Sequence, residues 1–97
     1  MQIIALKTIK DFWLKHPETE QPLKAWFDEV KKAEWNNPND LVSQFPMTRI
    51  VKNDRAIFKI KGNKYRIAAA IKYDFKIVYI RFIRTHAEYD KINAEEI

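Results

Sequence analysis

The stretch from Arg55 to Tyr73, RAIFKIKGNKYRIAAAIKY, constrains the fold more than any other, because it writes a β-hairpin around the only glycine in the chain. Two apolar runs flank Gly62-Asn63, and a two-residue loop opening on glycine suits a type II′ or I′ turn, since glycine takes positive φ without steric penalty. With that loop, Lys61 faces Lys64, Ile60 faces Tyr65 and Lys59 faces Arg66, and residues directly opposite each other project from one face. Four cations then share a face, while Phe58, Ile60, Tyr65 and Ile67 share the other, which is the set a sheet buries. Ala68 and Ala70 continue the cationic face as a floor of small side chains, leaving room for a ligand to approach.

Like charges directly opposite destabilise a sheet by roughly 0.2–1 kcal/mol per pair. A polyanion site explains such a pattern, with lysines as point charges and Arg66 as a planar fork matched to phosphate. A solvated strand face, guarded by lysine against edge aggregation, explains it too. The charge distribution adds weight to the first. Residues 1–34 hold six Lys/Arg against six Asp/Glu, whereas residues 49–84 hold eleven Lys/Arg against Asp54 and Asp74 alone. The net charge of +5 therefore resides in the sheet half. This is the footprint of a nucleic-acid binder, or of a dock for an acidic protein segment.

Ninety-seven residues, 46% of them hydrophobic, fit one small folded domain over 1–97. With no cysteine and two distant histidines, neither a disulfide nor a metal or other cofactor is expected. The N-terminal MQIIALKTIKDFW is broken by charge every few residues and approaches neither a spanning helix nor a signal peptide, so a cytoplasmic protein without membrane contact is expected.

Residues 1–6 suit a short strand. Ile9, Phe12, Trp13 and His16 then recur at helical spacing, with Thr8 and Asp11 as a cap and Pro17 as a stop, which predicts a helix over 8–16. Leu23, Trp26, Phe27 and Val30 predict a second helix over 20–34, with Pro22 in its first turn. Trp13 and Trp26 read as core residues rather than base-stacking platforms, and His16 as a packed histidine at a helix end. Residues 36–47 read as a loop with one helical turn near 40–45. Strands follow over 48–52, 55–61, 65–73 and 76–83. The last, KIVYIRFI, has the near-continuous apolar character of a central strand buried on both faces, and Arg81 within it either reaches the basic face or pairs with an acid from the helices. Thr85 and Glu88 form a capping box opening a helix over 86–92. There His86 and Tyr89, three residues apart, face one side near a helix N-terminus that favours phosphate, and both are usable proton-transfer groups. An ordinary cap histidine and a tyrosine packed on the sheet are the alternative reading.

The segments KGNKYR (61–66) and THAEYDKI (85–92), with HPETEQPLKAWFDEVKKAEW (16–35) upstream, resemble the HigB toxin family, a branch of the RelE-like toxins of bacterial toxin–antitoxin systems. The resemblance spans most of the chain. It implies an α+β fold with two N-terminal helices on a small antiparallel sheet and a short C-terminal helix. It also implies a ribosome-dependent messenger RNA endonuclease that uses no metal and attacks through the 2′-hydroxyl. The implied partners are messenger RNA, the ribosome and a cognate HigA-like antitoxin with a helix-turn-helix, through which alone operator DNA is reached. Carried over by position, Lys59, Lys61 and Arg66 are the implied basic sheet positions and His86 and Tyr89 the implied C-terminal ones. The candidate catalytic set is then Arg66, Lys61, His86 and Tyr89, with Lys59, Lys64, Arg81 and Arg84 as candidate RNA contacts. RelE itself relies on lysine, arginine and tyrosine without such a histidine, and Arg84 departs from the glycine that relatives carry before Thr-His. A non-catalytic basic RNA- or protein-binding module is the alternative. It predicts that only charge matters, so that replacing His86 or Tyr89 changes nothing.

Overall fold

In the computed structural model, which describes residues 1–62 and 64–89, the elements run β1 (Gln2–Ile4), α1 (Leu6–Lys15), a 3-10 turn (Pro17–Thr19), α2 (Glu20–Lys32), α3 (Pro38–Gln44), β2 (Arg49–Val51), β3 (Arg55–Ile60), β4 (Tyr65–Lys72), β5 (Ile77–Thr85) and α4 (His86–Tyr89). The five strands make one sheet in the order β1-β5-β4-β3-β2. It is antiparallel except where β1 lies parallel to β5. The α+β expectation holds, with that parallel edge as an addition.

The hairpin register is the predicted one, with Ile60 opposite Tyr65, Lys59 opposite Arg66 and Phe58 opposite Ile67. Its loop is longer. The ladder stops at Ile60 and Tyr65, Lys61 and Gly62 are both left-handed (φ 54° and 68°), and Lys64 N–H reaches Lys61 O at 3.4 Å. Lys61 and Lys64 therefore belong to the turn and not to a strand pair, so the expected face of four cations shrinks to Lys59 and Arg66 in this hairpin. A left-handed lysine costs roughly 1–2 kcal/mol against an extended one. Gly62 is required by its φ alone, since a Cβ there would meet nothing within 4 Å. The Asn53-Asp54 turn is also left-handed at both residues (φ 62° and 56°), a conformation that short polar side chains tolerate.

Phe58, Ile60, Tyr65, Ile67, Ala69, Ile71, Val78, Ile80 and Ile83 face the helices, which bury Ile9, Leu23, Trp26, Val30 and Leu41 against them. Phe58 is the hub of this core. Trp26, Phe45 and Trp35 surround its ring at centroid distances of 5.1, 5.5 and 6.3 Å. The other face carries a small apolar cluster of Ile57, Ala68 and Phe82, with Val51 against it. Ala68 is buried within that cluster and Ala70 is buried as well, so the alanines are packed positions and not the floor of an opening.

Several boundaries differ from the periodicity. α1 starts at Leu6 behind a left-handed Ala5 (φ 79°) with no side-chain cap, so Thr8 and Asp11 lie inside the helix. Trp13 is only half-buried, at the rim of the core. α3 is a seven-residue helix and not a single turn, capped by Asn37, whose side chain accepts from Asp40 N–H at 3.0 Å. Gln44 on α3 accepts from Trp35 Nε1 at 3.0 Å, which ties the helix to the core. β4, not β5, is the strand buried on both faces. β5 alternates instead, and a bulge opposite Ala68 and Ala69 leaves Arg81 outside the ladder. The helix expected over 86–92 is described as far as Tyr89, and residues 90–92, like Asn63 and the Tyr89 side chain, lie outside the described residues. Among the described residues no helix is long and apolar enough to cross a membrane.

Candidate nucleic-acid interface

Strand pairing assembles the candidate site. Lys59 on β3 stands opposite Arg66 on β4, and Arg66 stands opposite Arg84 on β5. Strands about 4.8 Å apart bring these three cations within about 10 Å on the face away from the helices. Their environments differ. Lys59 is partly buried, Arg66 is only 9% exposed, and Arg84 is exposed with its guanidinium 5.4 Å from the Phe82 ring and Nη1 donating to Ile83 O at 3.2 Å. Phe82 thus serves as a platform on which Arg84 lies, a contact that favours arginine over lysine.

β5 runs directly into α4, and the predicted capping box is present in full. Thr85 N–H and Oγ1–H donate to Glu88 Oε1 at 3.1 and 3.0 Å, and Glu88 N–H donates to Thr85 Oγ1 at 3.2 Å. Those bonds, with the positive charge of Arg84 added, hold the Glu88 carboxyl below the usual carboxylate range. The cap fixes His86 at the start of the turn, where its N–H donates to Lys64 O at 3.0 Å, which joins α4 to the hairpin loop. From there His86 Nδ1 lies 3.1 Å from Arg66 Nη2. The imidazole therefore meets the middle cation of the row.

Of the residues singled out from the sequence, the structure brings together Lys59, Arg66, Arg84 and His86. Lys64 is linked through its carbonyl, with its side chain exposed. Lys61 is exposed in the turn and acts electrostatically on Glu18. Arg81 is exposed at the bulge and makes neither a hydrogen bond nor an ion pair among the described residues, so the pairing with a helix acid does not occur. The Tyr89 side chain lies outside the described residues. Among the described residues no group of three or more His, Cys, Asp or Glu is placed to hold a metal ion.

One contact was not foreseen. The Tyr65 hydroxyl donates to Glu18 Oε1, joining the 3-10 turn to the strand that carries Arg66. This bond lowers the Glu18 carboxyl, helped by the charges of His16 and Lys61, and raises the Tyr65 phenol. His16 stacks on Phe12 at 4.5 Å and lies 5.7 Å from the Tyr65 ring, with Nδ1 3.9 Å from Glu18. The chain's two histidines thus flank successive residues of β4, His16 at Tyr65 and His86 at Arg66.

Comparison with known proteins agrees with this geometry. Residues 19–92 match the HigB toxin family, described as the RelE-like toxic component of a toxin–antitoxin system. The chain belongs to the HigB toxin family. A relative named mRNA interferase toxin HigB, from Escherichia coli K12, is 30% identical over 96 residues, covering 97% of this chain and 92% of its own. The mRNA interferase HigB of Shigella flexneri matches to the same extent, and that of Escherichia coli O6:H1 is 27% identical over 94 residues, covering 95% of this chain and 91% of its own. The match takes in the hairpin, the cation row and the α4 cap, and being a toxin of such a system implies a cognate antitoxin.

Proposed function

We propose that this HigB-family toxin is an endoribonuclease that cuts messenger RNA at a phosphate held by Arg66, with Lys59 and Arg84 beside it and His86 moving the proton. The observation that carries the reading is the 3.1 Å contact between Arg66, at the middle of the cation row, and His86. RNA carries its own nucleophile in the 2′-hydroxyl. Cleavage then needs that hydroxyl oriented, its proton accepted, the charge developing on phosphorus neutralised and the leaving 5′-oxygen protonated. Arg66 offers a planar fork for two phosphate oxygens, and Lys59 and Arg84 add positive charge where negative charge develops. His86 is the titratable group within reach, with Tyr89 as its neighbour on α4 and Lys61 and Lys64 at the hairpin loop to track the backbone. Charge on the phosphate is met by protein cations in this scheme and no metal is invoked.

The toxin acts on messages engaged by the ribosome, in the cytoplasm, and is held silent by a helix-turn-helix antitoxin that alone contacts operator DNA. Induction of the toxin without its antitoxin tests the reading. Growth arrest with new messenger RNA ends bearing 2′,3′-cyclic phosphate is the expected result. Arrest without cleavage that also persists in His86→Gln and Tyr89→Phe leaves a binding module that works by charge alone, whereas cleavage that persists in both leaves catalysis to the cations.

A further inference from the structure

Arginine only donates hydrogen bonds, so at 3.1 Å from Arg66 Nη2 the His86 Nδ1 atom must be the acceptor. Its lone pair is therefore occupied, and the ring proton of the neutral imidazole sits on Nε2. In that state the nitrogen with the lone pair, Nδ1, faces the Arg66 guanidinium and not an incoming hydroxyl. The free protein thus holds Nδ1 of its proton-transfer group against Arg66, although the ring itself is exposed. Two restraints hold the His86 backbone where this contact forms. The His86 backbone is pinned through its N–H to Lys64 O, and the Thr85–Glu88 capping box fixes the turn that bears it. Arg66 is equally constrained, being 9% exposed between Lys59 and Arg84 on the neighbouring strands.

We infer that Arg66 is a positioning residue for His86 as well as a phosphate ligand, and that the substrate phosphate opens the site by drawing Arg66 Nη2 away from His86 Nδ1. This deepens the cleavage reading above and rests on it. The exchange is favourable because a bidentate bond between guanidinium and phosphate joins opposite charges, and such bonds are roughly twice as strong as those between neutral partners, whereas the imidazole offers one neutral acceptor. The neighbouring cations push the same way. Lys59 and Arg84 flank Arg66, and an arriving anion relieves the repulsion along the row. With Nδ1 released, the proton balance closes. The 2′-hydroxyl gives its proton to Nδ1, its oxygen forms a bond to phosphorus, and the bond from phosphorus to the 5′-oxygen breaks with its electron pair leaving on that oxygen. The 5′-oxygen takes a proton from water, and the imidazolium later returns its own to solvent. A site that unlocks only on a phosphate avoids a free base in a toxin awaiting its substrate.

Nitrogen-15 spectroscopy of the two histidines in the whole toxin tests this, with inorganic phosphate as the probe and chloride matching the ionic strength. In the free protein, His86 Nδ1 should resonate as a hydrogen-bonded acceptor, displaced from its position in Arg66→Ala. Phosphate should carry it to the Arg66→Ala position while His16 stays unmoved. His16 also reports whether the variant is folded, and Arg66→Met serves if Arg66→Ala is not. Identical His86 shifts in the free toxin and the folded variant overturn the proposal, as does a proton on Nδ1 in the free toxin. A His86 signal that phosphate at high concentration leaves in place overturns it as well. The nuclease reading survives any of these if the toxin still cleaves, so the two fail separately.

Discussion

Replacing Phe58 with alanine tests the fold that positions the site. Phe58 is 1% exposed and its ring meets Trp26, Phe45 and Trp35, two of them edge-on and one stacked. Burying a phenylalanine and then deleting it costs about 3–5 kcal/mol. Aromatic pairs contribute about 0.5–1.5 kcal/mol each beyond area burial, which places this site in the upper part of that range. Three rigid rings around the vacancy also collapse poorly, which argues against a cheap repacking. A loss of about 4 kcal/mol against a urea slope of about 2 kcal/mol per molar moves the unfolding midpoint down by about 2 M. Since domains of this kind are stable by about 5–15 kcal/mol, the variant should remain folded at low temperature but with little reserve. Equilibrium urea unfolding followed by tryptophan fluorescence and by circular dichroism reads both the midpoint and the cooperativity. Phe75→Ala is the control, because Phe75 is 76% exposed at the β4–β5 turn and should shift stability by no more than about 0.5 kcal/mol. A midpoint shift in Phe58→Ala no larger than in Phe75→Ala would refute the placement of Phe58 at the centre of the core.

Other outcomes follow from the same geometry. Arg66→Lys keeps the charge but loses the fork, so toxicity on induction should vanish while the purified protein still unfolds cooperatively; full toxicity would show that a point charge suffices. Lys59→Ala and Arg84→Ala should weaken RNA or ribosome binding and flatten its dependence on salt by about one counterion each, and an unchanged slope in a binding titration would remove them from the phosphate path. The Tyr65–Glu18 bond should add stability in a bounded pH window. The Glu18 carboxyl is lowered, so its contribution is present above the ordinary carboxylate value of 4.5 and fades as pH falls below it. The Tyr65 phenol is raised, so its contribution is present below 10.0 and fades as pH rises past it. Thermal unfolding of Glu18→Gln should therefore lose part of the acid-side decline, and an acid limb identical to the parent's would count against the bond.

What the sequence disclosed was local. The hairpin register followed from one glycine and the alternation around it, and it placed Lys59 beside Arg66 and Phe58 on the core face correctly. The Thr85–Glu88 cap was legible for the same reason, since its partners are three residues apart. Features set by tertiary contact were not. The ladder ends at Ile60 because Lys61 is left-handed, which no spacing signals in a lysine. The start of α1 was hidden because Ala5 turns the chain without any capping side chain, and α3 because Leu41 alone among its residues is fully buried. The Tyr65–Glu18 bond spans 47 residues, and nothing in HPETE marks its glutamate as different from any surface acid. Arg81 read as a strand residue seeking a partner, whereas the bulge beside it sets it outside the pairing.

The central claim is that chemistry happens where Arg66 meets His86. Single-turnover cleavage of a ribosome-bound message, compared between the parent and His86→Gln at saturating toxin, measures it without interference from binding. Loss of an acid–base group should slow the chemical step by about 10²–10⁴-fold while leaving ribosome binding near the parent's. A His86→Gln toxin that cleaves at the parent rate would contradict the claim and leave catalysis to the cations of Lys59, Arg66 and Arg84 alone.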